Sequence, residues 1–110
     1  VICERFADST FAYQGYARNM DIKIIEIFNN FATFNTKPDL TLFFDINPDI
    51  TFKRLGKKDR MELEGLEFQK NVRNGFLEIA KNEPKRFKII DVANLTINQV
   101  FEKVKQYVIL

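Results

Sequence analysis

Apolar residues recur along this chain in two rhythms, and each change of rhythm marks a boundary. Val1-Ile2-Cys3 is a short apolar run that reads as a strand with Cys3 in the core. Polar residues follow at once, and Asp8 or Ser9 can cap a helix running to about Asn19. Over 20–32, Ile24, Ile25, Ile27, Phe28, Phe31 and Ala32 make a broad apolar helical face, suited to a core or a subunit contact. Pro38 bars any continuation of that helix. Residues 40–46 are nearly unbroken in apolar strand formers and predict a parallel strand covered on both faces. Asn47-Pro48 then supplies a cap and a proline suited to the first helical turn, opening a helix to Leu55.

A charged turn, 56–60, precedes a long helix over 60–81. Phe68, Val72, Phe76, Ile79 and Ala80 share one of its faces, while Glu62, Glu64, Glu67, Lys70 and Arg73 occupy the others. Phe87 to Asp91 is a third strand, and Thr96 with Gln99 forms a capping box for a last helix whose stripe is Val100, Phe101, Val104 and Val108. Strands alternating with helices predict an α/β fold with a parallel sheet, here about three strands and five helices.

Composition narrows the chemistry. The chain has 110 residues, 45% hydrophobic and 14% aromatic, which excludes disorder and permits one small domain. Seventeen basic and fifteen acidic residues leave a net charge of +2, too slight to mark a nucleic-acid or membrane surface. A single cysteine allows no intrachain disulfide and favours a cytoplasmic protein. With no histidine, His-based metal sites and His general bases are excluded. No apolar run approaches the roughly 20 residues that span a bilayer. Asn94-Leu95-Thr96 matches a glycosylation sequon and is expected to be a chance match, these 110 residues showing no secretory-signal pattern. The chain starts without methionine and inside an apparent strand, which is read as a sign that N-terminal sequence is absent.

Two stretches carry candidate chemistry. In the first, Glu4-Arg5 ends a strand just before Ser9, Thr10, Tyr13, Gln14 and Arg18. The carboxyl end of a parallel strand is where ligands bind, and an arginine there can grip a phosphate with two parallel hydrogen bonds. Ser9, Thr10 and Gln14 can meet a base or sugar, with Tyr13 walling the pocket. The plain alternative is a capped helix start with Arg5 in a surface ion pair. In the second stretch, Arg54, Lys57, Lys58 and Arg60 place four cations within seven residues around Gly56. They form either a solvated turn or a lid that closes over a polyphosphate.

Residue order adds a family. Glu4-Arg5 with Ser9-Thr10-Phe11-Ala12-Tyr13-Gln14-Gly15 resembles the acceptor-site signature of bacterial thymidylate kinases, in which an Asp-Arg pair ends a strand and Ser-Thr-x-Ala-Tyr-Gln-Gly opens the next helix. Glu4 departs from the family aspartate by one methylene. The likeness continues through Asp59-Arg60-Met61-Glu62, Leu66-Glu67-Phe68, Val72-Arg73, Phe76-Leu77-Glu78-Ile79-Ala80 and Ile90-Asp91-Val92-Ala93. The resemblance implies a P-loop nucleoside-monophosphate kinase fold: a three-layer parallel α/β sheet, incomplete because its N-terminal strands are missing.

The same resemblance implies roles. Arg5 would bind the dTMP phosphate and Glu4 would stand beside it. Ser9 and Thr10 would approach the nucleotide, and Thr10 and Gln14 would help to recognise thymine. Tyr13 would pack near the sugar and disfavour a 2′-hydroxyl, and Arg18 would lie on the same helix. Arg54 would lie near adenine, Arg60 would reach the donor phosphates with Lys57 and Lys58 as weaker candidates, and Val92 and Ala93 would hold adenine through backbone groups. Arg5, Arg54 and Arg60 are thus the catalytic candidates.

No GxxxxGK[ST] phosphate loop occurs in the chain. The family keeps that loop and its Mg²⁺-binding hydroxyl in an N-terminal half. Residues 1–110 are therefore expected to be the C-terminal part of one thymidylate kinase domain, with an acceptor strand-helix (1–34), strand and lid (39–60), post-lid helix (60–82), and adenine loop with last helix (87–110). The implied reaction is transfer from Mg-ATP to dTMP in a homodimeric cytoplasmic enzyme, with this chain inactive alone. Another nucleotide or deoxynucleoside kinase of the same fold is the nearest alternative, and a nucleic-acid-binding domain using 54–60 the more distant one.

Overall fold

The computed structural model describes residues 1–55 and 60–108, with the backbone alone at 55 and 60–64. Its elements follow one another as α1 (Ala7–Thr10), a π-helical segment (Phe11–Ala17), α2 (Ile22–Ala32), β1 (Thr41–Asp45), α3 (Pro48–Leu55), α4 (Arg60–Asn82), β2 (Phe87–Asp91) and α5 (Ile97–Tyr107). β1 and β2 pair in parallel, from Thr41 opposite Phe87 to Asp45 opposite Asp91. Parallel neighbours need a long crossover, and α3 with α4 provides it.

Local chemistry explains most boundaries. Asn47 Oδ1 accepts from the Asp49 amide at 2.9 Å, and Pro48 opens α3. Asp21 caps α2 by accepting from the Lys23 amide at 2.9 Å. Thr96 and Gln99 close the expected capping box on α5, at 3.2 and 2.8 Å. β2 spans the residues its apolar run predicts, and α4 exceeds its expected end by one residue.

The core lies where α4 meets the strands. Ile79, Ala80 and Phe87 are buried, with Phe11, Tyr16, Phe43 and Phe76 packed around them. Phe43 stacks on Phe76 at 4.7 Å between centroids. α4 also runs along the π-helical segment, its most extensive packing against another element.

Four expectations are corrected. Residues 1–3 form no strand: an apolar run shows readiness to pair, and among the described residues no ladder reaches it. Cys3 is accordingly exposed rather than in the core, and the described strands number two. β1 is covered on one face only, with Phe44 51% exposed, because the helices pack against the opposite side. α5 has no buried residue, and its stripe is covered only in part: Val100 and Val104 are half-buried while Phe101 and Val108 are exposed.

Gly75 permits the close crossing of α4 with the π-helical segment, since a Cβ there would stand 2.8 Å from the Tyr16 Cβ. That neighbour is anchored to backbone and cannot swing away. Gly75→Ala gains about 1 kcal/mol of helix propensity but forces the helices apart at a cost of about 1–3 kcal/mol. A lower denaturant midpoint is expected, and one raised by the full propensity gain would show that the helices do not meet there.

Candidate functional site

The turn before α1 is strained. Arg5 lies in the left-handed region at φ 59°, which costs a non-glycine residue free energy and is concentrated at functional sites. Its guanidinium sits 5.6 Å from the centroid of the Tyr13 ring, so the structure brings these two predicted residues together. Phe6 occupies the N-cap position and makes no side-chain cap bond. Asp8, predicted as a possible cap, is turned elsewhere: its carboxylate accepts from Arg86 Nη1 at 2.8 Å and Nη2 at 3.0 Å. Ser9 does not cap by its side chain either; its amide donates to the Phe6 carbonyl at 3.0 Å.

The helix then widens to π geometry over Phe11–Ala17, a rare arrangement often found at functional sites. Tyr13 packs on Phe68 and Phe76, at 5.9 and 6.5 Å. Gln14 is half-buried, and its carbonyl accepts from the Met20 amide at 2.9 Å. Arg18 is exposed, with its guanidinium 5.3 Å from the Phe68 ring centroid. Phe68 of α4 thus carries both Tyr13 and Arg18. Glu4 and Thr10 are exposed.

A second group gathers at the carboxyl ends of the strands. Arg54 Nη2 donates to the Ala93 carbonyl at 2.8 Å, joining two predicted residues 39 positions apart. The Ala93 amide donates to Asp91 Oδ1 at 3.0 Å, and the Val92 amide to the Asp45 carbonyl at 3.0 Å. Asp45 is 8% exposed and receives both Nε and Nη2 of Arg73, at 2.8 and 3.0 Å. The hydrogen bond to Asp45 raises the Arg73 pKa above its ordinary value, against burial and with help from the Asp45 and Asp91 charges. Beside this pair, Asn47, Asp49, Lys70, Arg73 and Asn74 line an open cleft of about 280 Å³.

Lys57 and Lys58 lie outside the described residues. Arg60 begins α4, but its side chain lies outside them too. The structure does not bring the Arg5 group and the Arg54 group together: among the described residues no hydrogen bond joins them. Asp8 is tied to Thr41 and Arg86 where the strands begin, whereas Arg54 meets Ala93 just past the strand ends.

Sequence reasoning missed Asp8–Arg86 and Asp45–Arg73. The second left a signal, because a carboxylate ending a buried strand needs a partner. The first left none, its partners being 78 residues apart.

Comparison with known proteins shows the family. A family model described as thymidylate kinase matches residues 1–104. The chain belongs to the thymidylate kinase family. It is 44% identical over 112 residues to a thymidylate kinase of Clostridium novyi (strain NT), covering 97% of this chain and 54% of that protein. It is 50% identical over 92 residues to one from Sulfurihydrogenibium sp. (strain YO3AOP1), covering 83% and 45%. The crystal structure of thymidylate kinase from Ehrlichia chaffeensis superposes with a TM-score of 0.73 at 32% identity, over 97% of this chain and 49% of that one. The chain spans about half the length of the curated relatives it matches. The small parallel sheet flanked by helices is the α/β fold expected of an incomplete kinase of this type. No described helix is long and apolar enough to cross a membrane.

Two measurements test the electrostatics. Asp45→Ala leaves the Arg73 charge half-buried and unpaired, and is expected to cost about 3 kcal/mol in chemical denaturation. A loss no larger than that of an exposed surface pair would show the bridge to be solvated. Hydrogen bonds from Arg86 hold the Glu83 carboxyl below its ordinary 4.5, with burial opposing. A depressed carboxyl stabilises the fold above its unfolded pKa and loses that contribution as pH falls through the folded one. Stability should therefore drop below pH 4.5, and Glu83→Gln should flatten that limb. The effect is modest because Glu83 is well exposed.

Proposed function

We propose that the chain carries the acceptor helix, lid and adenine loop of a kinase that transfers the γ-phosphoryl group of ATP to dTMP. The observation that supports this most directly is the family match over residues 1–104, which spans all three parts. In the transfer, an oxygen of the dTMP phosphate bonds to the γ-phosphorus as the bond to the β,γ-bridging oxygen breaks and ADP leaves. The protein's contribution is to position the two nucleotides and to neutralise charge.

Arg5 supplies charge at the dTMP phosphate with Glu4 beside it. Its place above Tyr13 supports a shared pocket, in which Tyr13 packs near the sugar. Ser9 and Thr10 approach the nucleotide, Thr10 and Gln14 read thymine, and Arg18 extends the acceptor face. On the donor side, Arg60 reaches the phosphates with Lys57 and Lys58, while Val92 and Ala93 hold adenine. The Arg54–Ala93 hydrogen bond supports a donor loop braced from the start of the lid.

Mg²⁺ enters with ATP as the substrate complex. Among the described residues, no group of three Asp, Glu or Cys side chains is gathered to hold it. The exposed apolar face of α2, with Phe31 83% exposed, supports a homodimer contact in the cytoplasmic enzyme. Neither nucleic acid nor membrane is among the partners.

Calorimetric titration tests the substrate. The 110-residue chain is expected to bind dTMP in preference to UMP, dCMP and dAMP, and Arg5→Ala to weaken dTMP binding by about tenfold or more. Equal binding of the four nucleotides would point to another nucleotide kinase of the same fold. Because the chain contains no GxxxxGK[ST], it should form no dTDP from ATP and dTMP, and measurable turnover by it alone would falsify its dependence on a separate phosphate loop.

A further inference from the structure

We infer that Arg86 is a positioning residue for the acceptor turn: by gripping Asp8 with both prongs of its guanidinium, it sets where Arg5, Ser9 and Thr10 stand. The inference rests on reading Arg5 to Arg18 as the dTMP site.

Geometry carries it. Nη1 donates to Asp8 Oδ2 at 2.8 Å and to Thr41 Oγ1 at 2.8 Å, while Nη2 donates to Asp8 Oδ1 at 3.0 Å. Glu83 is held as well, Oε1 accepting from Nε at 3.4 Å and Oε2 from Nη2 at 2.5 Å. One planar cation thus ties α1 to the first residue of β1 and to the turn before β2. The backbone of Arg86 is itself fixed, since its carbonyl accepts from the Thr41 amide at 2.8 Å. The Arg86 side chain also lies over the Phe87 ring, 5.8 Å from its centroid.

The pair is also sheltered. The Arg86 and Asp8 side chains are 14% and 15% exposed, against 37% and 45% for Lys70 and Asp49. A charge-assisted fork with so little water around it holds its geometry, whereas exposed pairs exchange freely. The Asp8 hydrogen bond accordingly raises the Arg86 pKa well above the ordinary arginine value, despite burial.

Meanwhile, the acceptor turn has few holds of its own. Its helix begins without a side-chain cap, and Arg5 three residues before Asp8 is in a strained conformation. Strain of this kind persists only where the surroundings impose it. Asp8 lies three residues from Arg5 and is the immediate neighbour of Ser9. A shift at Asp8 is therefore passed to the residues that meet the nucleotide, although Arg86 itself lies outside their set.

Arg86→Lys in the 110-residue chain tests this, keeping the charge but not the fork, with Asp8→Asn as the second variant where Arg86→Lys does not fold. The first readout is amide hydrogen exchange, comparing residues 6–10 with α5. The second is the ratio of dTMP to thymidine affinity, which reports the grip of Arg5 on the phosphate and which uniform destabilisation does not move. Loss of a charge-assisted pair predicts exchange about tenfold faster at 6–10 with α5 unchanged, and a preference for dTMP about tenfold smaller. Uniformly faster exchange, or an unchanged preference, overturns the inference. If the wild-type chain binds neither dTMP nor thymidine, the acceptor reading fails, and the local exchange pattern alone decides whether Arg86 positions the turn.

Discussion

Everything in this fold leans on one face of α4. Phe76 stacks on Phe43 of β1 and meets Tyr13 edge-on, so a single ring serves both the sheet and the π-helical segment. Burying such a ring in full contributes about 2–3 kcal/mol by area, of which half-buried Phe76 gains a part, and each well-placed ring pair adds about 1 kcal/mol. Among the described residues few share this work, since the buried apolar cluster is small and centres on Ile79, Ala80 and Phe87. The face of α4 therefore cannot be altered for the sheet without moving Tyr13. Phe68, two turns nearer the start of α4, extends the same coupling to Arg18.

Two ion pairs set how α4 lies against the strands. Arg73 binds Asp45 where β1 ends, and Arg86, just beyond α4, binds Asp8 and Thr41 where β1 begins. Sheltered pairs contribute little net stability, because desolvation offsets most of the attraction. Their directional forks instead penalise any other arrangement. The apolar face brings α4 to the sheet, and these two pairs allow it few ways to sit there.

This division of labour explains what could be read in advance. The bounds of β2, the start of α4 and the Thr96–Gln99 capping box are local matters, written in adjacent residues. The family was legible in the run from Ser9 to Gly15 because it is long and ordered. Contacts distant in sequence were not legible. Val1-Ile2-Cys3 has the pattern of a strand but no described partner, and Asp8 has the pattern of a cap but is taken by an arginine 78 residues away. The π-helical geometry of Phe11–Ala17 leaves no periodic signature over so few residues. Phe44 and Phe101 belong to genuine apolar faces, and periodicity tells which residues share a face without telling what covers it.

The open apolar faces and the candidate site are held by different forces. Phe31, Phe44 and Phe101 present apolar surface on three separate elements. Arg5, Ser9 and Thr10 lie beside the Asp8–Arg86 pair, and Ala93 is held by Arg54. Covering the apolar faces adds area-dependent stability without direction, whereas the polar pairs fix angles and distances that area cannot. The geometry of the turn before α1 thus depends on a fork of hydrogen bonds already closed within the chain, whereas any further gain from apolar contact depends on surfaces left open among the described residues.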